Sequence, residues 1–372
     1  MAQRDHSLDF IKGIGCIFMV FSHALVHANG AVLFPLAAVV AFIARFAPVL
    51  FFSVSGVVNS LQAQRHPLRY FATFAALFAV LGLSYNTLWR PDLLHNLESD
   101  IPQFAGMTIL CTVLVAKAFS KRAVFGYTLV AVVLALVHFL LVPLLPPFPG
   151  RQFLTIPGVF PLVPWLIFPF LGNIAYRLPD HLVRRIALSL LVLTGSALLA
   201  SYGYAHTFGP VWTDKFNMPL GYFLLCVTVQ FGMFALLRRW QALCTNSWVL
   251  YVGRNSFAFL FCHLIWRGLF IDWQIFHPLL VWPALLILAV TSVKVLDTLN
   301  TRYFARIFAL PAPWVTLALL MVLQSVALPG QPYLMTLCGL IFAFNYRGLS
   351  QAVKSFTEKP RPVPAARVPQ DA

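Results

Sequence analysis

The stretch RDHSLDFIKGIGCIFMVFSHALVHANG, residues 4–30, decides the fold class, because it is long and apolar enough to cross a membrane as one helix. It also carries a row of side chains at steps of three or four residues: Asp9, Lys12, Cys16, Met19, His23 and His27. At 3.6 residues per turn, the row lies on one face of the helix. Lys12 and His23 are about 16 Å apart along that face, since each residue adds about 1.5 Å.

Two interpretations of this row stay open. Ionisable side chains inside a membrane span cost about 2.5–3.5 kcal/mol for Lys or Asp, and they commonly face a protein interior or a watery cavity. The row is therefore a candidate functional site. In the structural alternative, His23 is an ordinary packing residue, and Asp9 and Lys12 reach the membrane surface as anchors.

The composition predicts an all-α polytopic membrane protein. Of the 372 residues, 60% are hydrophobic and 10% are charged, whereas a soluble domain has about 25% charged residues. The apolar runs are about 20 residues long and do not alternate, which favours helices over a barrel. The six Cys residues have no metal-ligand spacing, so we interpret them as core residues and expect neither a metal nor a disulfide frame.

The apolar runs predict about 12 transmembrane helices, with ten or eleven as alternatives. The predicted spans are at about 10–29, 36–62, 69–89, 103–119, 123–143, 158–177, 183–204, 217–238, 252–271, 277–297, 311–329 and 331–347. Most of the 26 Lys and Arg residues then fall on one side of the membrane, which predicts that this side and both termini are cytosolic. The net charge of +15 therefore reflects topology, and we expect no nucleic-acid partner.

The domain organisation follows from the same pattern. Residues 1–350 are expected to form a single transmembrane domain. Residues 351–372, QAVKSFTEKPRPVPAARVPQDA, are rich in proline and basic residues, which predicts a disordered cytosolic tail.

Two stretches at the predicted cytosolic half carry candidate contacts. In FFSVSG, Ser55 and Gly56 allow the close approach of a ligand or, as small residues more commonly do, of another helix. The basic turn QAQRHPLRYF contains Arg65 and Arg69, which suit lipid phosphates and a phosphorylated cofactor equally well.

Further candidates lie toward the predicted outer side. Trp165, in a proline-rich segment, is either an interfacial anchor or a platform on which a sugar stacks. The loop 203–219 suits a polar acceptor, but its composition is also that of an exposed loop. In YVGRNSFAFLFCHLIWRG, residues 251–268, Ser256, His263 and Arg267 are spaced seven and four residues apart and share a helix face.

The chain contains no P-loop, GxSxG or HExxH motif. A histidine midway through a span is a natural general base near neutral pH. Acyl transfer from a thioester requires such a base and a pocket for the donor. Coenzyme A would place its phosphates beside cytosolic cations, and its pantetheine arm would extend into the membrane, which fits the separation of Lys12 and His23.

The opening DFIKGIGCIFMVFSH resembles the signature of integral membrane acyltransferases of the acyltransferase-3 and heparan-α-glucosaminide N-acetyltransferase-like superfamily. In that signature a basic residue precedes a histidine by eleven positions. FFSVSG resembles the superfamily's second span, and YVGRNSFAFLFCHLIW resembles its late helix. The likeness covers roughly residues 4–350.

The resemblance implies transfer of an acyl group, usually acetyl, from cytosolic acyl-CoA to a hydroxyl or amine of an extracytoplasmic glycan or envelope molecule. It implies a bacterial inner (plasma) membrane location, with membrane lipids as partners. His23 would be the catalytic base, with His27 as the alternative one turn outward. The expected donor contacts are Lys12, Ser55, Arg65 and Arg69, and the expected acceptor or pocket residues are Asp9, Trp165, Ser256, His263 and Arg267. Lys12 stands where the superfamily usually has Arg, so the charge is kept and the bidentate fork is lost.

Two other functions fit the same composition. A secondary transporter or flippase for a lipid-linked or anionic solute also uses many spans with buried His and Arg. A non-catalytic scaffold for envelope assembly is the third reading, and it predicts that His23→Ala has no effect at normal protein levels.

Overall fold

The computed structural model describes residues 5–27, 39, 42–86, 98–156, 158–205, 209–273, 278–328 and 331–357. This part of the chain is 85% helical and contains no β-strand. The predicted all-helical class is therefore confirmed.

The helices that build the fold have the following bounds: α1 His6–His27, α2 Ala47–Gln62, α3 Leu68–Asn86, α4 Ile101–Ala118, α5 Ala123–Leu136, α6 Ile167–Arg177, α7 Asp180–Ala205, α8 Leu220–Arg239, α9 Ser247–Arg254, α10 Ser256–Asp272, α11 Pro278–Leu299, α12 Pro311–Ala327 and α13 Pro332–Thr357. Eight helical segments in the described part are long and apolar enough to cross a membrane. The number is nine if α9 and α10, which meet at an 88° bend, count as one broken span. The chain thus has the helices of a membrane-embedded polytopic protein.

The buried apolar side chains form two clusters, and α1 belongs to both. Cys16, Val20 and Ala24 of α1 pack in the cluster that also contains residues of α3 and α10–α13. Leu8 and Ile11 pack in the cluster formed with α2 and α5–α8. The polar row of α1 is therefore held between two groups of helices rather than at the edge of the bundle.

The FFSVSG stretch packs against another helix. A Cβ on Gly56 would lie 2.6 Å from the carbonyl oxygen of Pro169, and a Cβ on Gly172 would lie 2.6 Å from that of Ser53. Glycine at both positions lets α2 and α6 cross in direct backbone contact. The structure therefore favours the helix-packing interpretation of this stretch over a ligand cradle.

The end of the bundle at which α1 begins carries several basic connections, and we call it the basic face. There Lys117 Nζ donates to the carbonyl oxygens of Ala63 and His66, at 2.7 and 3.0 Å. Arg238 donates to the carbonyl oxygen of Leu178 at 2.8 Å. The first two bonds link the end of α4 to the α2–α3 connection, and the third links the end of α8 to the α6–α7 connection.

The opposite end, which we call the cavity face, is joined by a second set of loop contacts. Asn86 Nδ2 donates to the carbonyl oxygen of Glu98 at 2.6 Å, and Val159 N donates to Glu98 Oε1 at 2.8 Å. Arg45 donates to the carbonyl oxygen of Thr213 at 2.9 Å. Segments from four parts of the chain therefore meet beside the second half of α1.

The last helix is longer than predicted. α13 continues past position 350 to Thr357, and Ala352 and Val353 are buried against the bundle. The first residues of the predicted tail are helical because they still have apolar neighbours to pack on. Residues 358–372 lie outside the described residues.

Candidate functional site

A cavity of about 660 Å³ lies between α1, α2 and α10 at the cavity face. On α1 it is lined by Gly15, Cys16, Met19, Ser22 and His23. The second half of the predicted polar row therefore faces an open space, as a row of polar groups inside a membrane protein requires.

Helix α10, which contacts α1, supplies another part of the cavity wall. Ser256, Leu260, Leu264 and Arg267 line the cavity. They recur at steps of three and four residues, so they form one face of the helix. Ser256 and Arg267 therefore lie on one cavity wall, as their spacing predicts for a common face.

His263 lies beside this face and meets His23. The distance from His23 Nδ1 to His263 Nε2 is 2.8 Å, although the two residues are 240 positions apart in the chain. The two rings are stacked, with centroids 5.1 Å apart and planes inclined by 20°. His263 is completely buried, whereas His23 is partly exposed in the cavity wall.

The bonds of His263 determine which atoms of the pair carry protons. His263 Nδ1 is 3.2 Å from the carbonyl oxygen of Phe259, which can only accept, so this nitrogen carries a hydrogen. In neutral His263 the other nitrogen, Nε2, is then an acceptor, and His23 Nδ1–H donates to it. The lone pair of neutral His23 is consequently on Nε2, the atom that a general base would use.

The mouth of the cavity is built by three loops. Glu98, Asp100, Val159 and Phe160 come from the loops before α4 and before α6, and Lys215 comes from the loop before α8. Arg45, two residues before α2, and Phe216, next to Lys215, are exposed there. The cavity therefore reaches His23 from the cavity face.

Burial changes the proton affinity of two groups in this mouth. Burial raises the pKa of Asp100 to about 6, although the backbone N–H of Ile101 and the nearby Lys215 counteract the rise. Burial lowers the pKa of Lys215, and the negative charge of Asp100 partly offsets that effect. Asp100 therefore gains or loses its proton at mildly acidic pH. Its neighbour Lys215 is a partly buried cation.

The first half of the polar row lies in a different environment. Asp9 is buried, and its carboxylate is 3.7 Å from Lys12 Nζ and 3.4 Å from Arg254 Nε. Arg254 also donates to His6 Nδ1 at 3.1 Å. Asp9 is thus part of an ion-paired cluster at the basic face, and it does not line the cavity.

The cavity approaches this cluster closely without including Lys12. Gly15 is the α1 residue of the cavity wall nearest to the basic face. Lys12 lies three positions before it, or about 4.5 Å along the axis. The sequence predicts a path to His23 from the end at which α1 begins. The cavity instead reaches His23 from the opposite end of the bundle, and the Asp9 cluster at the basic face is not part of its wall.

The remaining predicted donor residues lie away from the cavity wall. Arg65, on the turn between α2 and α3, and Arg69, in the first turn of α3, are exposed at the basic face. Ser55 is half-buried within α2, where its Oγ accepts from Asn59 Nδ2 at 3.4 Å. The structure brings none of these three residues to His23.

Trp165 requires a correction. It is completely buried, and its ring packs edge-on against Phe160, with centroids 4.9 Å apart, and against Phe52 at 6.1 Å. It is therefore neither exposed at an interface nor available as a platform for a sugar. Phe160 and Phe52 line the cavity in front of it.

The side chain of His27 lies outside the described residues.

Sequence reasoning missed Arg254, Arg45 and Asp100. Asp100 could have been found, because Asp100 and Gln103 form a capping box at the start of α4, which brings that residue to the cavity face. Arg254 and Arg45 carry no local signal that identifies their partners, since those partners are distant in sequence.

A scan against protein-family models, a search of curated proteins and a search of solved structures each found no match to this chain.

Proposed function

We propose that the chain is a membrane-embedded acyltransferase. In this proposal it moves an acyl group, acetyl in the first instance, from cytosolic acyl-CoA to a hydroxyl or amine of an extracytoplasmic glycan or envelope molecule. The observation that carries the proposal is the bonded pair His23–His263 on the wall of a cavity of about 660 Å³. A cavity of this volume is in the range that holds small organic substrates.

The proposed topology has twelve spans, with both termini and the basic face in the cytosol. It is supported by the excess of Lys and Arg on the connections at that face. The short helices α6 and α12 and the apolar first part of α13 then complete the set of spans, as parts of a bundle in which neighbouring helices cover them. The acceptor enters from the cavity face, on the far side of the membrane.

The proposed chemistry uses His23 as general base. His23 Nε2 takes the proton of the acceptor hydroxyl or amine while the acceptor atom attacks the thioester carbonyl. The carbon–sulfur bond breaks, and the thiolate of coenzyme A leaves with the proton that His23 returns. Positioned proton transfer of this kind contributes about 10²–10⁴-fold to a rate.

His263 is a positioning residue in this scheme. Its Nε2 accepts from His23 Nδ1–H, so it holds the ring and fixes the tautomer. The same bond strengthens when His23 becomes positively charged, because charge-assisted hydrogen bonds are about twice as strong as neutral ones. Phe259 in turn orients His263 through its carbonyl oxygen.

The donor is proposed to approach from the basic face. Lys12 and Arg254 supply cations beside the α1 start, where phosphate groups of coenzyme A would bind. The thioester arm must then pass the Asp9 cluster and cover the distance from Lys12 to His23, about 16 Å along α1. The proposed donor path thus opens when this cluster rearranges around the incoming phosphates.

The test compares envelope glycans from cells with the wild-type chain, without the chain, and with His23→Ala, by mass spectrometry of added acyl groups. We expect His23→Ala to remove the acyl groups while the protein remains folded in the membrane. His138→Gln is the matched control, because His138 is a buried histidine of another segment and donates to the carbonyl oxygen of Met218. Full acylation by the His23→Ala variant would contradict the proposal.

A secondary transporter or flippase is the second candidate. A cavity that reaches one face, with an ion-paired cluster toward the other, is also the geometry of one-sided access in transporters. The two functions differ in their need for a donor. Release of free thiol from acetyl-CoA by the purified chain supports the enzyme, and solute movement in vesicles without acyl-CoA supports the transporter.

A further inference from the structure

Charged side chains of both signs surround the cavity. The cations are Arg45, Lys215 and Arg267, and the acids are Glu98, Asp100 and Asp214. Their formal charges cancel, so the net charge of the cavity favours neither an anionic nor a cationic ligand. The acids and the cations differ in how far their hydrogen bonds are already used within the protein, and this difference determines which groups are available to a ligand.

The acids are used to build the loops of the mouth. Asp214 accepts from the backbone N–H groups of Phe216 and Asn217, at 2.9 and 3.1 Å, and from Asn217 Nδ2 at 2.7 Å. Asp100 accepts from the backbone N–H of Ile101 at 2.6 Å, at the start of α4.

Glu98 is used in the same way, since its Oε1 accepts from the backbone N–H of Val159 at 2.8 Å. Each carboxylate therefore has its charge partly compensated by N–H groups of the loops that build the mouth. Burial also raises the pKa of Asp100 to about 6, which further reduces negative charge at mildly acidic pH.

The cations at the mouth keep most of their donors. Lys215 Nζ lies over the rings of Phe160 and Phe216, at 5.6 and 4.9 Å from their centroids. Within the described residues it has neither a carboxylate within salt-bridge distance nor a hydrogen-bond acceptor. Arg45 uses one of its five N–H groups on the carbonyl oxygen of Thr213. The N–H donors that remain available to a ligand at the mouth thus come largely from the positively charged side chains of Lys215 and Arg45.

We propose that the molecule which enters this cavity carries an anionic group, a carboxylate or a phosphate, that binds Lys215 and Arg45 at the mouth. This inference rests on the proposed function and names the class of its acceptor: an acidic glycan or a phosphate-bearing envelope molecule, rather than a neutral sugar. The anionic group anchors the acceptor, and a hydroxyl or amine elsewhere on it reaches His23. The rings of Phe160 and Phe216 lie against Lys215 Nζ, and the partial burial of Lys215 strengthens the charge pair.

The experiment measures binding of a matched pair of probes to the full-length protein in phospholipid nanodiscs. Methyl glucuronide and methyl glucoside have the same ring and differ in one carboxylate, and methyl glucoside 6-phosphate provides the phosphate form. We expect at least one of the anionic probes to bind about tenfold more tightly than the glucoside. Equal affinities, or tighter binding of the glucoside, would overturn the proposal.

Two variants test whether Lys215 and Arg45 cause the preference for the anionic probes. Lys215→Gln combined with Arg45→Gln should reduce the ratio of affinities to about one. Lys121→Gln is the matched control, since it removes an exposed Lys charge at the basic face, and the ratio should be unchanged. An anion preference that survives the double substitution would place the anion elsewhere and overturn the proposal.

The outcomes separate this inference from the proposed function. His23-dependent acyl transfer without an anion preference rejects the acceptor class alone. An anion preference that depends on Lys215 and Arg45, in a chain that transfers no acyl group, rejects the transferase and retains the anion site.

Discussion

The two halves of α1 have the same kind of sequence and opposite environments. In the first half, Asp9 and Lys12 are drawn into an ion-paired cluster with Arg254. In the second half, His23 stands on the wall of a cavity, backed by His263. A polar row on one helix face can therefore serve two purposes, because each part of the face meets a different neighbour.

This contrast indicates that the two halves of α1 have different roles. The first half closes the bundle at the basic face by satisfying its own charges. The second half keeps its polar atoms beside an open space, where a substrate can reach them. Four experiments test whether the two halves of α1 differ in function in this way.

The first experiment removes the support of His23. His263→Ala should lower kcat about 10 to 100-fold, less than the loss of the base itself, because His23 keeps its basic atom and loses its orientation. The acceptor KM should change little. His263→Gln should restore part of kcat, since the amide oxygen can accept from His23 Nδ1–H. Steady-state kinetics of thiol release measure both quantities.

His138→Ala is the control for that experiment, because His138 is a buried histidine of another segment and does not line the cavity. An unchanged kcat in His263→Ala would show that the pair is a packing contact, and the contrast between the two halves would lose its functional meaning.

The second experiment disturbs the first half through its packing. Glycine at position 253 lets α9 approach α1, since a Cβ there would collide with the carbonyl oxygen of Asp9. Gly253→Ala should lower the free energy of unfolding by about 1–3 kcal/mol through overpacking. Thermal unfolding in nanodiscs measures the loss.

Gly268→Ala is the matched control on α10, where a Cβ meets nothing within 4 Å. That variant should be neutral or more stable by about 0.5–1 kcal/mol, because alanine favours the helix. Equal effects at the two positions would mean that the α1–α9 contact is not a close one.

The third experiment tests the donor role of the first half. Lys12→Ala should raise the KM for acyl-CoA about tenfold, since a hydrogen bond to a charged group contributes roughly 1.5 kcal/mol or more. The kcat should be nearly unchanged. Lys121→Ala removes another Lys at the basic face and should leave the donor KM as it is. A donor KM that is the same in wild type and Lys12→Ala removes Lys12 from the donor site.

The fourth experiment uses pH at the cavity face. Because the pKa of Asp100 is about 6 in the folded protein and lies near 4 for an ordinary carboxyl, the folded state favours the protonated form. The stability contributed by this group is therefore complete below about pH 4 and is lost as pH rises through 6. Asp100→Asn should remove this part of the pH dependence of the melting temperature.

The same titration affects the mouth of the cavity. Deprotonation of Asp100 adds a negative charge near Lys215, so methyl glucuronide should bind about two- to threefold more tightly at pH 5 than at pH 7. The difference should be smaller in Asp100→Asn. Tighter binding at pH 7 in the wild type would show that another group controls the mouth.

Individual residues show how far local sequence reasoning extends. The spacing of Ser256 and Arg267 predicts a common face, and both line the cavity. Trp165 shows the limit, because a tryptophan near a predicted membrane surface has the same local sequence whether its ring faces lipid, a ligand or the core. Its burial depends on Phe52 and Phe160, which pack around it from other segments.

The helical membrane class and the polar face of α1 follow from the amino-acid sequence alone, because hydropathy and helical periodicity are properties of neighbouring residues. The contact of His263 with His23, the ion pair of Arg254 with Asp9, and the end of the bundle from which the cavity reaches His23 depend on the folded chain. Periodicity fixes the direction in which a side chain points from its own helix, whereas its partner depends on how helices distant in sequence pack together.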